Sequence, residues 1–172
     1  MAGGIIFSFM GVLPGTFHFL RDLVVGWGLL GIFVASFLGS TIFIPFSVEA
    51  AEAVLLGLKQ NPYLVVLVAS LGSLLGTCVN YWIGYAGSGL IEKRVGQDNI
   101  NKAKHFMDKH GWPGLFLVIF LPTPIPVDPV TVIPGLMRMN FAEFSVVVFV
   151  AKVLRYAVVA AALMGFFGFV HI

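Results

Sequence analysis

Two apolar stretches of this chain are each interrupted by a short polar segment that brings a carboxylate into apolar surroundings. The first interruption begins after Gly39 and ends at Glu49, and the second covers residues 122–129 and contains Asp128. Each follows an apolar run too short to cross the roughly 30 Å hydrocarbon core of a bilayer. Broken backbone and ionisable groups are tolerated at membrane depth only where they line a protected interior. We therefore predict that both interruptions lie inside a membrane protein, close to its functional site.

The composition supports a membrane location for the chain. Of its 172 residues, 59% are hydrophobic and only 10% are charged, whereas a soluble domain carries about 25% charged residues. We therefore predict an integral protein of the cell (plasma) membrane with a single domain. The net charge of +2 is too small to suggest nucleic-acid binding. The predicted partners are membrane lipids and, in a homo-oligomer, further copies of the chain.

The lengths of the apolar runs predict two kinds of helical segment. Residues 23–38 give only about 24 Å of helix at ~1.5 Å per residue, and a short apolar piece, 50–58, follows the first interruption. This pattern predicts a re-entrant hairpin, and a second hairpin is predicted over about 112–137. Two longer apolar runs, about 62–91 and 141–170, predict helices that span the membrane.

The remaining features complete a four-part organisation. Charged residues dominate 92–111, and its apolar residues recur at helical spacing, which predicts an amphipathic helix on the membrane surface. In the first spanning helix, the spacing of Gly72 and Gly76 permits close approach of another helix. The predicted parts are an N-terminal interfacial or weakly spanning segment at 1–22, a first repeat at 23–91, the surface segment at 92–111 and a second repeat at 112–172.

Three similarities in the same order indicate that the two halves repeat. Residues 31–38 correspond to 114–121, residues 57–58 to 135–136, and Thr77, Asn80 and Tyr81 to Lys152, Arg155 and Tyr156. A hairpin returns the chain to its starting side, and the helix that follows carries it across, so the second hairpin must enter from the opposite face. The predicted fold class is an all-α polytopic membrane protein of two inverted repeats, each a re-entrant helical hairpin followed by a long transmembrane helix.

The placement of positive charges predicts the orientation, because Lys and Arg accumulate on the cytoplasmic side of membrane proteins. Two such residues, Arg21 and Lys59, fall on one predicted side. A larger group falls on the other side: Lys93, Arg94, Lys102, Lys104, Lys109 and Arg138. We therefore predict that the 92–111 segment is cytoplasmic and the C-terminus external.

Three acids are candidates for proton coupling, namely Glu49, Asp128 and Glu52. Burial favours the neutral form of a carboxyl group and a nearby Arg favours the charged form, so its protonation follows a change of surroundings. The alternative role is structural. In that case Glu49 and Asp128 cap helices after the proline turns, and Glu52 pairs with Lys59 near the base of the hairpin.

Four residues are candidates for binding a substrate phosphate. Lys152 and Arg155 share one helix face near mid-membrane, and the Arg side chain offers a fork of donors that suits phosphate. Asn80 and Thr77 are neutral donors on the matching first helix. Alternatively, the two cations serve only to neutralise the carboxylates. The hairpin tips, whose broken helices can direct backbone N–H groups at an anion, are shaped by glycine and proline: Gly39, Pro45, Pro122, Pro124, Pro126 and Gly135.

The sequence predicts neither an enzyme nor a cofactor or metal site. It contains no nucleophile elbow, P-loop or paired-carboxylate hydrolase pattern. His105 and His110 on the surface segment lack the third and fourth ligands that a metal site needs. Cys78 is the single cysteine, which excludes a cysteine metal cluster.

Together these residues resemble the DedA / VTT (SNARE-associated Golgi protein) superfamily over roughly 25–165. The proline-rich loop with Asp128 leads into the run 134–139, then Phe141 and Phe144, as in the second hairpin of that family. The first half is similar through a polar loop that ends in Glu49. It is also similar through a Gly-rich helix with Gly72, Gly76, Tyr81, Gly84, Tyr85 and Gly87.

The chain departs from the larger branch of that family, which carries arginines in the second loop where Leu121 and Val127 stand here. It is more similar to the short YqaA-like branch, which has an acid at this place and a Lys-x-x-Arg-Tyr step like residues 152–156. The family is associated with moving lipids across membranes, namely polyprenyl-phosphate carriers in prokaryotes and phospholipids in eukaryotes. The resemblance implies coupling by the acids and headgroup binding by Arg155 with Lys152.

The predicted function is thus a transporter or flippase that moves a phosphate-bearing lipid between leaflets with proton coupling. Two alternatives stay open. The protein could be a proton- or cation-coupled carrier of a small solute, which a sealed pore axis would favour. It could also be a non-transporting, membrane-organising protein, which fully ion-paired charges without a cavity would favour.

Overall fold

The computed structural model describes residues 14–41, 48–87, 96–121 and 128–170. Every regular element within these ranges is helical, in agreement with the predicted all-α class. The elements are α1 (Pro14–Gly39), α2 (Val48–Gly57), α3 (Pro62–Tyr85), α4 (Gln97–Phe120), a 3₁₀ turn (Asp128–Thr131), α5 (Val132–Leu136) and α6 (Phe141–Val170).

Helices α3 and α6 are long and apolar enough to cross a membrane. At about 1.5 Å per residue, α3 extends for about 36 Å, which exceeds the roughly 30 Å hydrocarbon core. It begins at Pro62 as predicted, because proline fits the first turn and the Asn61 side chain accepts the Tyr63 N–H at 3.0 Å. It ends at Tyr85, earlier than the predicted Ile91, and residues 88–95 lie outside the described part of the chain.

Helix α6 begins behind a second asparagine cap and runs over the predicted range. The Asn140 side chain accepts the backbone N–H groups of Ala142 and Glu143 at 2.8 and 3.3 Å. Both long helices therefore start at an asparagine whose side chain satisfies N–H groups of the first turn, which have no partner within the helix.

A glycine breaks the helical backbone of both α1 and α4. Gly28 has φ 55° and ψ −121°, and Gly111 has φ 54° and ψ −142°. A side chain would meet open space at either position, so the positive φ is the reason for glycine. The predicted boundary at 22/23 falls inside α1, which runs on to this break. In α4 the predicted surface segment and the first arm of the predicted second hairpin form one helix, which the Gly111 break divides. Residues 1–13 lie outside the described ranges.

Two similar turns precede the long helices. In the first, the N–H groups of Lys59 and Gln60 donate to Leu56 and Leu55, and in the second those of Arg138 and Met139 donate to Gly135 and Pro134. Lys59 and Arg138 both have the left-handed backbone of a Schellman motif, with φ 60° and 52°. This correspondence pairs Gly57 with Leu136, one residue away from the predicted pairing with Gly135.

Helix α3 forms the centre of the molecule because glycines let other backbones approach it. A Cβ atom on Gly72 would collide with the Phe33 carbonyl oxygen of α1, and one on Gly76 with that of Phe37. The predicted close approach at these two glycines is therefore confirmed. At the other end of α3, Gly84 abuts the backbone of α5.

Lys59 and Arg138 lie at opposite ends of α3. Lys59 precedes its first turn, whereas the Arg138 guanidinium lies over the ring of Tyr85, 5.4 Å from the centroid, at the last turn. Tyr81 also donates to the Met139 carbonyl oxygen, at 2.5 Å. The two turns are therefore separated by the length of the spanning helix.

Candidate functional site

Charged side chains from two helices meet where α2, α3 and α6 come together. Glu49 and Glu52 lie three residues apart near the start of α2, and Lys152 and Arg155 lie three residues apart in the middle of α6. This spacing puts the members of each pair on one face of their helix. The sequence places the acids in the first half and the bases in the second.

An ion pair joins Arg155 to Glu49. The Arg155 Nε donates to Glu49 Oε1 at 2.8 Å, and a second nitrogen lies 2.5 Å from the same oxygen. A third Arg155 nitrogen donates to the Ile119 carbonyl oxygen of α4 at 3.2 Å. The side chains of Arg155 and Glu49 are 12% and 25% exposed. Arg155 thus links α6 to α2 and to α4, and its contact with Glu49 agrees with the predicted alternative in which the cation neutralises a carboxylate.

Lys152 lies in a cluster of hydroxyl groups and is only 4% exposed. Its Nζ donates to Ser40 Oγ at 3.1 Å and to Ser73 Oγ at 2.5 Å, and the two serine hydroxyls also bond to each other. The Tyr156 hydroxyl donates to Ser73 Oγ at 3.0 Å. Helices α3 and α6 and the turn that follows α1 thus supply one buried polar cluster.

The two neutral candidates on α3 have different surroundings. The Asn80 side-chain amide donates to the Ser40 carbonyl oxygen at 2.9 Å and to Thr131 Oγ1 at 3.0 Å. It therefore connects the end of α1 to the turn before α5. Thr77 Oγ1 donates to the Ser73 carbonyl oxygen of its own helix at 2.7 Å. The structure thus brings Asn80, but not the Thr77 hydroxyl, to the polar cluster.

Glu52 is 0% exposed, and neither of its carboxyl oxygens has a hydrogen-bond partner. Its neighbours one turn away on α2, Val48 and Leu55, belong to the hydrophobic core. The predicted alternative of a pair with Lys59 is wrong. Lys59 is exposed in the turn after α2 ends, whereas Glu52 lies on the buried face of the helix.

The predicted tip residues are only partly within the described structure. Gly39 is buried at the end of α1. Gly135 is buried in α5, where a Cβ atom would collide with the Tyr81 carbonyl oxygen. Asp128 opens the 3₁₀ turn, but its side chain is outside the described part. The remaining predicted tip residues also lie outside it: Pro45, Pro122, Pro124 and Pro126.

Comparison with known proteins decides the family. The model of the VTT domain matches residues 44–164. The chain belongs to the VTT domain family. This confirms the resemblance drawn from the sequence, and the matched region contains both acids of α2 and both bases of α6. Ser40 and the Gly28 break precede it.

Two relatives match this chain over most of its length and over most of their own. An uncharacterized protein of Methanocaldococcus jannaschii, MJ0201, is 31% identical over 145 residues, which is 83% of this chain and 88% of that protein. The inner membrane protein YqaA of Escherichia coli is 28% identical over 134 residues, which is 78% of this chain and 89% of that protein. No solved structure matches. The YqaA name and the two apolar helices are consistent with a membrane location.

Sequence reasoning missed the hydroxyl groups around Lys152. Ser40 follows Gly39 directly at the first break, and Ser73 follows Gly72 on the glycine face of α3. Neither glycine was a signal for the serine beside it, because adjacent residues of a helix point in different directions. Tyr156 was part of the repeat but had no assigned role. Among the described residues, no group of three or more His, Cys, Asp or Glu is placed to hold a metal ion.

Proposed function

We propose that this protein moves a phosphate-bearing lipid, a polyprenyl-phosphate carrier or a phospholipid, from one membrane leaflet to the other with coupled proton movement. The observation that carries the proposal is the contact of Arg155 with Glu49, which joins a guanidinium of the second half to a carboxylate of the first. A phosphate crosses hydrocarbon only with a compensating cation. Membership of the VTT family favours a transport role of this kind.

The proposed topology is a pair of inverted repeats. The segment from the Gly28 break to Gly39 gives only about 17 Å of helix and α2 only about 15 Å, too little to cross a bilayer of roughly 30 Å. The hairpin they form is therefore re-entrant, and α3 then crosses. The repeated glycine break, turn and asparagine cap support the same arrangement for α4 to α6. On this topology Arg138 and the 92–111 segment are cytoplasmic.

Proton coupling is assigned to the two acids of α2. An ionised carboxylate buried without a partner costs several kcal/mol, so the Glu52 carboxyl carries a proton in this state. Glu49 is ionised while it pairs with Arg155. Protonation of Glu49 releases the guanidinium for a phosphate, and Glu52, one helical turn away, relays the proton by taking one up from water as it gives one to Glu49.

Lipid transfer in reconstituted vesicles tests the proposal. Vesicles contain the purified protein and a fluorescent phospholipid or polyprenyl phosphate, and a membrane-impermeant quencher reports the fraction in the outer leaflet over time. We expect transfer by the wild type, none by Arg155→Ala, and slower transfer with a flatter pH profile for Glu49→Gln, Asp128→Asn and Glu52→Gln. Wild-type rates equal to those of empty vesicles for several anionic lipids would contradict the proposal.

The same ion pair favours a second candidate function, in which the protein organises the membrane without transport and the pair only holds the two halves together. A charge swap distinguishes the transport function from this membrane-organising function. The double variant Glu49→Arg/Arg155→Glu retains an attractive pair but moves the guanidinium onto α2. A structural role predicts that the swap restores both stability and cellular function. The transport role predicts restored stability and continued loss of lipid transfer.

A further inference from the structure

We propose that Asn80 is a positioning residue of the transport site, which holds the ends of both polar interruptions in register on α3. This inference rests on the proposed function and deepens it, because it names a side chain that acts on the site through segments of both halves. It also gives Asn80 a role different from the predicted binding of a substrate phosphate. The contacts that carry the inference are those of Asn80 with Ser40 and Thr131.

The Asn80 side-chain amide bonds to both interruptions. It donates to the Ser40 carbonyl oxygen at 2.9 Å and to Thr131 Oγ1 at 3.0 Å. Ser40 follows α1, where the first interruption begins, and Thr131 ends the 3₁₀ turn in which the second interruption ends. Asn80 and Thr131 are 0% exposed and Ser40 is 1% exposed, so water does not compete for these bonds. One buried side chain therefore connects segments from different halves of the chain.

The chemistry of the two bonds requires an amide. A carbonyl oxygen only accepts hydrogen bonds, so the Asn80 nitrogen, and not its oxygen, must face Ser40. This nitrogen carries two N–H donors, one for each of the two described bonds. A leucine has the same number and branching of heavy atoms but no donor. Asn80→Leu therefore removes both bonds, and Thr131→Val removes only the bond to the second segment.

Two glycines of α3 bring the same segments close to Asn80. Gly76 and Gly84 lie about one helical turn before and after Asn80, so the three residues share a face of α3. A Cβ atom on Gly76 would collide with a carbonyl oxygen of α1, and one on Gly84 with a carbonyl oxygen of α5. These contacts determine how closely the backbones approach. Hydrogen bonds require a defined distance and direction, so the bonds of Asn80 determine where along α3 the two segments lie.

The register of these segments determines the contacts of Arg155. Its guanidinium bonds to Glu49 of α2, which follows the first interruption, and to the Ile119 carbonyl oxygen of α4, which precedes the second. A shift of either segment along α3 changes the distances to these partners. A displacement of about 1 Å can slow a reaction by roughly 100-fold. We therefore expect that loss of the Asn80 bonds lowers the maximal rate of lipid transfer by about tenfold or more.

Hydrogen–deuterium exchange of the purified full-length protein in detergent tests the positioning itself. The probes are one peptide that contains Ser40 and one that contains Thr131, with a peptide of α6 as the reference. We expect Asn80→Leu to raise exchange in both segments by about twofold to tenfold, the range that the loss of one ordinary hydrogen bond allows. Exchange in α6 should stay unchanged. Thr131→Val should raise exchange in the second segment alone.

Two further variants serve as controls. Thr131→Ser keeps a hydroxyl acceptor and should retain wild-type exchange, in contrast to Thr131→Val. Ser70 is another buried residue of α3, but its hydroxyl donates to the Val66 carbonyl oxygen of its own helix at 2.7 Å. Ser70→Ala should therefore leave exchange in both segments unchanged. If Asn80→Leu does not fold, the difference between Thr131→Val and Thr131→Ser decides the outcome.

Lipid transfer in reconstituted vesicles distinguishes positioning from direct binding of the substrate by Asn80. The transfer rate is measured at increasing mole fractions of the substrate lipid. A positioning role predicts that Asn80→Leu lowers the maximal rate and leaves the mole fraction at half-maximal rate unchanged. Direct binding of the phosphate predicts that this mole fraction rises.

Three results would overturn the inference. These are wild-type exchange in both segments of Asn80→Leu, an equal rise of exchange in the α6 reference, or a change only in the mole fraction at half-maximal rate. The failure of the proposed function looks different. In that case Asn80→Leu raises exchange in the two segments as expected, while the wild type moves no lipid between leaflets.

Discussion

The two halves of this protein share backbone features but differ in chemistry. Each has a glycine break in its first arm, at Gly28 or Gly111, and a left-handed turn before an asparagine-capped long helix. The described acids of the site lie in the first half, and its bases lie on the long helix of the second. The features that the halves share set the backbone geometry, whereas the charged side chains that differ between them come into contact only where both halves meet.

The largest expected effect concerns how the short helix of each half packs. In the second half, a Cβ atom on Gly135 would collide with backbone atoms of Tyr81 and Tyr85, whereas one on Gly57 at the end of α2 would meet open space. Gly135→Ala should therefore destabilise the protein by about 1–3 kcal/mol or more, as overpacking does. Gly57→Ala should stabilise it by up to about 1 kcal/mol, because alanine favours helix. Thermal unfolding in detergent measures the change in stability for both variants. Equal effects of the two substitutions would show that the two short helices pack equally closely.

The ion pair between the halves should show coupling in a double-variant cycle. Arg155→Ala leaves the Glu49 carboxylate half-buried without its guanidinium, and we expect a loss of about 1–3 kcal/mol. This is less than for a fully buried pair, because both side chains keep some exposure. Glu49→Ala/Arg155→Ala should cost less than the sum of the single variants. Strict additivity in chemical unfolding would mean that the pair does not join the halves.

The two acids of α2 should respond differently to replacement by glutamine. Glu52 is buried without a hydrogen-bond partner, so Glu52→Gln mimics its protonated form and should stabilise the protein near neutral pH by about 1 kcal/mol or more, because folding of the wild type must then add a proton to a carboxyl group that is ionised in the unfolded chain. As the pH rises above the ordinary titration range of a carboxyl group, the wild type should lose stability because folding must protonate Glu52, and the glutamine variant should lose that dependence. Glu49→Gln should weaken the contact with Arg155 at all pH values at which the acid is ionised. Identical pH profiles of unfolding for the wild type and Glu52→Gln would contradict this assignment.

The smallest expected effect distinguishes the two left-handed turns. A non-glycine residue in this conformation costs about 1 kcal/mol, so Lys59→Gly should stabilise the protein by roughly 0.5–1 kcal/mol. Arg138→Gly removes the same strain but also the contact with the Tyr85 ring, worth about 0.5–1 kcal/mol at an exposed site. The Arg138→Gly substitution should therefore leave the stability of the protein nearly unchanged. A larger gain for Arg138→Gly than for Lys59→Gly would show that the contact with Tyr85 contributes nothing.

The sequence predicted the long helices well because their signals are local. An apolar run behind Asn61 and Pro62, and another behind Asn140, define where α3 and α6 begin. It did not predict the breaks at Gly28 and Gly111, since apolar periodicity carries no information on the sign of φ. The left-handed backbone of Lys59 and Arg138 was also missed, because these residue types seldom adopt it.

The candidate site was predictable as a set of charges but not as a set of contacts. Charged residues within apolar runs pointed to Glu49 and Arg155, which the fold brings together. The hydroxyls of Ser40 and Ser73 gave no comparable signal. Small polar residues in apolar helices often donate to their own backbone, as Ser70 does here, and only tertiary packing determines which serine instead faces Lys152.

We propose that the two halves enter the membrane from opposite faces and complete one site between them. Thiol labelling with a membrane-impermeant maleimide tests it most directly, with Lys59→Cys and Arg138→Cys introduced singly into a Cys78→Ala background. Intact cells should label the Lys59→Cys variant, while the Arg138→Cys variant should become labelled only after permeabilisation. Labelling of both variants from the same side would contradict the inverted repeat and, with it, the shared site.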